Sequence, residues 1–70
     1  MIEVFKTNVK TKKQANQIIK QLKVNFGYDK VNFDLEDCDK ILRIEAPAIL
    51  PHCVIGVLKN EKVDCIVLSD

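Results

Sequence analysis

Hydrophobic and polar residues alternate with a period of two in several short segments of the chain. Val31, Phe33 and Leu35 alternate with charged and amide residues over positions 30–36, and the same pattern returns over 40–46. Residues 2–9 and 63–68 are rich in β-branched and aromatic side chains. Alternation of this kind places apolar side chains on one face of a strand. The pattern therefore predicts four β-strands, two of them joined by the acidic turn at 36–39.

Between the first two strands the period changes to that of a helix. Thr11 and Gln14 have the spacing of a capping box, in which each side chain satisfies a backbone donor at the helix start. Gly27 is suited to the left-handed conformation that ends a helix. We therefore predict a helix from about residue 12 to 26, whose buried stripe is Ala15, Ile18, Ile19, Leu22 and Phe26.

The segment 47–58 is less regular. Gly56 and several β-branched residues lower its helix propensity, whereas a proline is tolerated in a first turn. A helix ending near Asn60 remains the better prediction. Its apolar stripe is Leu50, Cys53, Val54, Val57 and Leu58.

The order of elements is β-α-β-β-α-β. Two right-handed βαβ units place both helices on one face of a four-stranded antiparallel sheet. We therefore predict an α+β, ferredoxin-like sandwich in which residues 1–70 form one domain. This topology brings the β1–α1 loop, the β2–β3 hairpin and the α2–β4 loop to one end of the molecule. Lys10, Lys12 and Lys13 are then expected near the turn of Asp37, Cys38 and Asp39.

Composition excludes several classes of protein. The net charge of +1 predicts no attraction to nucleic acid or to an anionic membrane, and an apolar fraction of 47% argues against disorder. No apolar run reaches the length of a membrane span. Three widely spaced cysteines, without a Cys-x-x-Cys pair, indicate free thiols in a cytoplasmic protein.

Two segments resemble the heavy-metal-associated domains, the fold of copper and zinc chaperones. They are Phe5-Lys6-Thr7-Asn8-Val9, which runs into a helix, and residues 34–45, which end in Asp-Lys-Ile-Leu-Arg-Ile-Glu. The β1–α1 loop of that family carries a Met-x-Cys-x-x-Cys signature, whose thiolates bind Cu(I) or Zn(II). Here Val9 stands at the methionine position, and Thr11 and Gln14 stand at the cysteine positions. The resemblance therefore implies a degenerate member, and we expect no metal and no cofactor at this loop.

An atypical metal site is the alternative, with ligands from Cys38, His52, Cys53 and Cys65. Adjacent residues of a helix point about 100° apart, so His52 and Cys53 do not easily share an ion. Cys53 and Cys65 also fit the apolar pattern and are expected to pack in the core. Cys38, in a turn, is a reactive thiol, a ligand shared across a dimer, or an incidental surface residue.

The lysines at 10, 12 and 13 surround the start of the first helix. With Cys38 they form a candidate docking site for an acidic protein partner or an anion; the alternative is an ordinary solvated basic face. A single histidine beside an apolar cysteine offers no catalytic arrangement, so we expect no enzyme. The sequence thus favours a small interaction module.

For the oligomeric state we expect a monomer or a weak homodimer. Either edge strand of the sheet can pair with a second copy, although the charged residues predicted in both strands discourage such pairing.

Overall fold

The computed structural model describes residues 1–68 and contains the six predicted elements in the predicted order. They are β1 (Ile2–Thr7), α1 (Lys12–Phe26), β2 (Lys30–Asp34), β3 (Ile41–Glu45), α2 (Pro51–Asn60) and β4 (Cys65–Leu68). The strands form one antiparallel sheet in the order β2-β3-β1-β4. This is the ferredoxin-like βαββαβ fold, so the predicted fold class is confirmed.

Helix α1 has both of the predicted ends. The Thr11 hydroxyl accepts a hydrogen bond from the amide of Gln14 at 3.1 Å. Gly27 adopts φ 67°, and its amide donates to the carbonyl of Lys23. Between these caps Ala15, Ile18 and Leu22 are buried, and Ile19 and Phe26 pack against the core from partly exposed positions. Local sequence signals alone therefore define this helix.

Helix α2 begins later than its apolar pattern indicates. Pro51 occupies the first turn, and Leu50 is the N-cap, with an extended backbone and a side chain that is 55% exposed. The prediction that Leu50 belongs to the buried stripe is therefore wrong, because the stripe holds only for helical residues. Ile49 is buried instead, together with the expected Val54 and Leu58.

All four strands are shorter than the sequence pattern predicts, and in β1 and β4 the reason is that their outer amides are used elsewhere. The amide of Val9 donates to the Thr7 hydroxyl at 3.3 Å, so β1 ends at Thr7. The amide of Val63 donates to the carbonyl of Leu58 at 2.9 Å and caps α2, so β4 begins only at Cys65. Both valines remain buried. They therefore contribute to the core from loops rather than from strands.

The core lies between the sheet and the two helices. Phe5 on β1 pairs with Leu42 on β3 and with Val67 on β4, and Phe5 and Leu42 are fully buried. Tyr28, which the periodicity does not indicate, is also buried in this core. Its ring stacks on Phe26 with centroids 5.2 Å apart, and its hydroxyl accepts a hydrogen bond from the amide of Leu50 at 3.3 Å.

Within residues 1–68, neither helix has the length and apolar character needed to cross a lipid bilayer.

Candidate functional site

Three loops meet at one end of the molecule, as the topology predicts. They are the β1–α1 loop (residues 8–11), the β2–β3 hairpin loop (residues 35–40) and the α2–β4 turn (residues 61–64), and together we call them the loop end. Hydrogen bonds between the loops, rather than apolar packing alone, hold them together.

Two hydrogen bonds from Thr7 join the hairpin loop to the end of β1. Its buried hydroxyl donates to the carbonyl of Lys40 at 2.6 Å, and its amide donates to the carbonyl of Asp39 at 3.1 Å. Lys40 has φ 46°, a left-handed conformation that is unfavourable for a residue with a side chain. Its ammonium also donates to the carbonyl of Leu35 at 2.9 Å. These contacts fix the hairpin loop in one position beside the β1–α1 loop.

Two hydrogen bonds of Asn8 join the α2–β4 turn to the β1–α1 loop. Its side-chain amide donates to a carboxylate oxygen of Asp64 at 3.2 Å, and its side-chain carbonyl accepts from the amide of Asp64 at 2.9 Å. The pair is exposed, so its contribution to stability is small. It nevertheless sets the position of the turn relative to the β1–α1 loop.

Gln14 does not make the reciprocal bond of a capping box. Its side-chain amide instead donates to the carbonyl of Glu61 at 3.4 Å, across 47 positions of the sequence. The capping box is therefore half correct: Thr11 caps the helix, and Gln14 ties the helix start to the α2–β4 turn. The two positions that correspond to the ligands of the heavy-metal-associated signature are thus both engaged in structural hydrogen bonds.

The three candidate docking lysines are exposed on this end. Lys10 lies in the β1–α1 loop, and Lys12 and Lys13 are the first two residues of α1, whose first turn contains no acidic residue. Over residues 1–68 the ion pairs are Lys6 with Asp39 at 3.5 Å and Lys30 with Glu45 at 3.9 Å; both are surface pairs. Asp39, in the turn near which the three lysines are expected, is therefore paired with Lys6.

Cys38 is exposed at the tip of the hairpin loop. Its sulfur lies 4.0 Å from a carboxylate oxygen of Asp39, and the ligand atoms of Asp37, Cys38 and Asp39 lie within 4.8 Å of one another. The amide of Asp39 donates to the Asp37 carboxylate at 2.8 Å, which accounts for this arrangement as a turn. Exposed acidic groups are common without an ion, so the cluster alone assigns no metal.

The residues of the alternative metal site are not brought together. Among residues 1–68, the only group of three potential ligands close enough to share an ion is the hairpin cluster, which contains Cys38 but not His52, Cys53 or Cys65. His52 is exposed in the first turn of α2, and Cys53 beside it is half-buried rather than in the core. Cys65 packs against the core, as predicted, and this burial raises the pKa of its thiol to about 11.

Sequence comparison finds no relatives: no protein-family model matches the chain, and no curated protein matches it. Among solved structures, the chain is similar to the yeast copper transporter domain CCC2A, whose solution structure covers the apo and Cu(I)-loaded states. The TM-score is 0.84 and the sequence identity is 15%, over 99% of this chain and 96% of that chain. At this identity the likeness shows a shared βαββαβ fold.

Proposed function

We propose that this domain is a non-enzymatic protein-interaction module, related in fold to the metal chaperones, whose metal position has been taken over by structural contacts. The observation that carries the proposal is the use made of Thr11 and Gln14. One caps α1 and the other ties α1 to the α2–β4 turn, so both side chains already make structural hydrogen bonds. A hydroxyl and an amide are also poor ligands for the soft ions that thiolates bind.

The docking surface that we propose consists of Lys10, Lys12 and Lys13, with Cys38 on the neighbouring hairpin loop. All four side chains are exposed, and none of the lysines takes part in an ion pair within residues 1–68. The free amides at the start of α1 add positive potential to that of the lysines. A surface of this kind steers an acidic partner and raises its rate of association. The partner class is therefore a protein with an acidic patch.

A matched pair of charge reversals tests this surface. Lys12→Glu/Lys13→Glu and Lys20→Glu/Lys23→Glu each replace two exposed lysines of α1 and change the net charge equally. Only the first pair lies at the loop end. We expect the immobilised protein to lose its partners from a cell extract on the first change and to keep them on the second, as measured by quantitative mass spectrometry of the captured proteins.

The same variants separate binding from stability. Acidic residues in a first turn are favourable by about 0.3–1 kcal/mol each, so Lys12→Glu/Lys13→Glu should raise the free energy of unfolding while it weakens capture. Weaker capture therefore cannot be attributed to unfolding. Equal capture by both variants would contradict the proposed docking surface.

The absence of a metal site is tested separately by titrating the reduced protein with Zn(II) and then Cu(I), followed by amide NMR. We expect no localised shifts that saturate at a fixed ratio. Saturable shifts at Cys38, or around His52 and Cys53, would refute the metal-free function and favour the alternative metal site.

A further inference from the structure

Strand β2 forms one outer edge of the sheet. It pairs with β3 on one side, and over residues 1–68 no other strand pairs with its second side. The backbone amides and carbonyls along such an edge are free to pair with another chain. The length of the strand, from Lys30 to Asp34, offers five residues for this pairing.

The side chains of β2 divide between two faces. Lys30, Asn32 and Asp34 are exposed on the open face of the sheet, away from the helices, whereas Val31 is buried and Phe33 half-buried on the helix side. The two charges are of opposite sign and lie at opposite ends of the strand. Asn32, which is neutral, lies at the midpoint between them.

A cleft runs beside this edge, between β2 and α1. Its volume is about 550 Å³, and its apolar lining includes Ile19 of α1 together with Phe33 and Leu35. These three side chains pack on the core but remain partly exposed. The edge therefore carries unpaired backbone groups and an adjoining apolar surface that a second chain would cover.

We propose that β2 pairs antiparallel with β2 of a second copy of this chain, with Asn32 on the two-fold axis. In this register Lys30 of each copy lies opposite Asp34 of the other, so two ion pairs can form across the interface on the open face. Within its own chain Lys30 also pairs with Glu45 at 3.9 Å, and Asp34 accepts a hydrogen bond from the amide of Glu36 at 3.2 Å. Val31 lies opposite Phe33 of the second copy on the helix side. The dimer thus carries a continuous eight-stranded sheet with all helices on one face.

The charges select this register among the alternatives. A shift by one residue would turn the second copy over, so that its helices would lie on the opposite face of the sheet and the two-fold symmetry would be lost. An axis through Val31 or Phe33 keeps the faces matched, but it places Lys30 or Asp34 opposite Asn32, so that this residue forms no ion pair across the interface. Only the axis through Asn32 pairs both charges and uses all five residues of the strand.

Strand β4, at the other edge of the sheet, does not favour one pairing register in this way. Strand β4 begins at Cys65, beyond Asp64, and contains no charged residue. The prediction that charged residues in both edge strands discourage pairing with a second copy is therefore wrong for β4. Nothing in its described residues distinguishes one partner or register from another. A second copy on β2 is therefore the occupant that charge complementarity supports.

The proposed dimer is weak and depends on salt. A strand edge of five residues with its flanking cleft falls among interfaces below about 1,200 Å², which are typical of transient contacts. Its ion pairs are exposed and are therefore screened by salt. We expect sedimentation equilibrium at low salt to show self-association between about 10 µM and about 1 mM protein, since dimer formation depends on protomer concentration.

Charge reversals within β2 test both the strand and the register. In Lys30→Asp each copy carries aspartate at both positions, and in Asp34→Lys each carries lysine at both, so each variant repels itself. Self-association of either should weaken about tenfold, because two cross-strand attractions become repulsions. Mixing the two variants restores both ion pairs, and a heterodimer should form. Lys20→Asp, an exposed change on α1 with the charge change of Lys30→Asp, should leave self-association unaltered.

The melting temperature of each variant, taken by circular dichroism, shows that it is folded before it is compared. A heterodimer in the mixture, observed by native mass spectrometry, supports the proposed register. Wild-type protein that remains monomeric at the highest concentration overturns the proposal. Single variants that associate as strongly as the wild type, or folded variants whose mixture stays monomeric, overturn it as well. Lys12 also lines the cleft beside β2, but every variant in this test keeps Lys10, Lys12 and Lys13. Failure of the dimer can therefore be distinguished from failure of the proposed function.

Discussion

Replacing Thr7 by valine tests how the loop end is held together. Thr7 is the last residue of β1 and is buried. Its hydroxyl donates to the Lys40 carbonyl at 2.6 Å and accepts from the Val9 amide at 3.3 Å. A single hydroxyl therefore joins the strand, the β1–α1 loop and the hairpin loop. Valine keeps the β-branched shape and removes only these two hydrogen bonds.

The expected loss of stability follows from the two backbone groups that lose their partner, the Lys40 carbonyl and the Val9 amide. A hydrogen bond contributes about 0.5–1.5 kcal/mol net, and a buried group left without its partner costs about 1–3 kcal/mol. The amide of the fully buried Val9 is such a group. Lys40 at φ 46° also loses one of the contacts that hold its unfavourable conformation. The backbone hydrogen bond from the Thr7 amide to the Asp39 carbonyl is unchanged in Thr7→Val and does not contribute to the loss of stability. We expect a loss of about 2 kcal/mol, which is about 8–16 °C in melting temperature for a domain of this size.

Urea unfolding followed by circular dichroism measures this difference, because a domain this small is expected to unfold in one step. Thr7→Ser is the matched control, since it keeps the hydroxyl and removes the methyl group. It should cost less than Thr7→Val. A Thr7→Val variant within about 0.5 kcal/mol of the wild type would refute the assigned role of the hydroxyl, since that is the range of surface substitutions. A serine variant less stable than the valine variant would refute it too.

Two further predictions concern thiols. Thr11→Cys/Gln14→Cys introduces two thiols three residues apart at a helix start, where the helix dipole favours thiolate. The double variant should therefore bind one Cu(I) per chain in a competition titration. Cu(I) binding no tighter than that of Thr11→Cys alone would contradict this. Burial raises the pKa of the Cys65 thiol from its ordinary 9.0 to about 11, which lowers its thiolate fraction about 100-fold at pH 8. Mass spectrometry should therefore show that iodoacetamide alkylates the exposed Cys38 first, and the alkylation rate of Cys65 should rise as the pH approaches 11. Equal alkylation rates of the two thiols at pH 8 would contradict the assigned burial.

The elements that the sequence predicts correctly are those whose signals are local. Helix α1 has its buried stripe, its cap at Thr11 and its left-handed Gly27 within one continuous segment. Strands β2 and β3 alternate cleanly on each side of one turn. Each of these features depends on neighbours a few positions away, so periodicity and capping rules suffice.

The features that the sequence misses depend on contacts between distant segments. The start of α2 is set in part by the bond from the Leu50 amide to the Tyr28 hydroxyl, 22 positions away. The Gln14 side chain has two possible partners, the backbone amide at its own helix start and the carbonyl of Glu61, and only the folded chain brings the second within reach. Tyr28 had one available signal, because an apolar residue just after a glycine cap commonly packs back on its helix.

The loop end shows why a shared fold does not carry a function with it. The buried positions and element order that make this chain resemble a copper transporter domain are separate from the residues at the start of α1. That helix start needs a partner for its free amides whether or not a metal is bound. Thr11 supplies one, and Gln14 links the same turn to Glu61. The loop end is thus held in shape by its own hydrogen bonds, and a surface ordered in advance loses less entropy when a partner docks. The hydrogen bonds of Thr11 and Gln14 therefore support the proposed role of this end as a docking surface that is ordered before a partner binds.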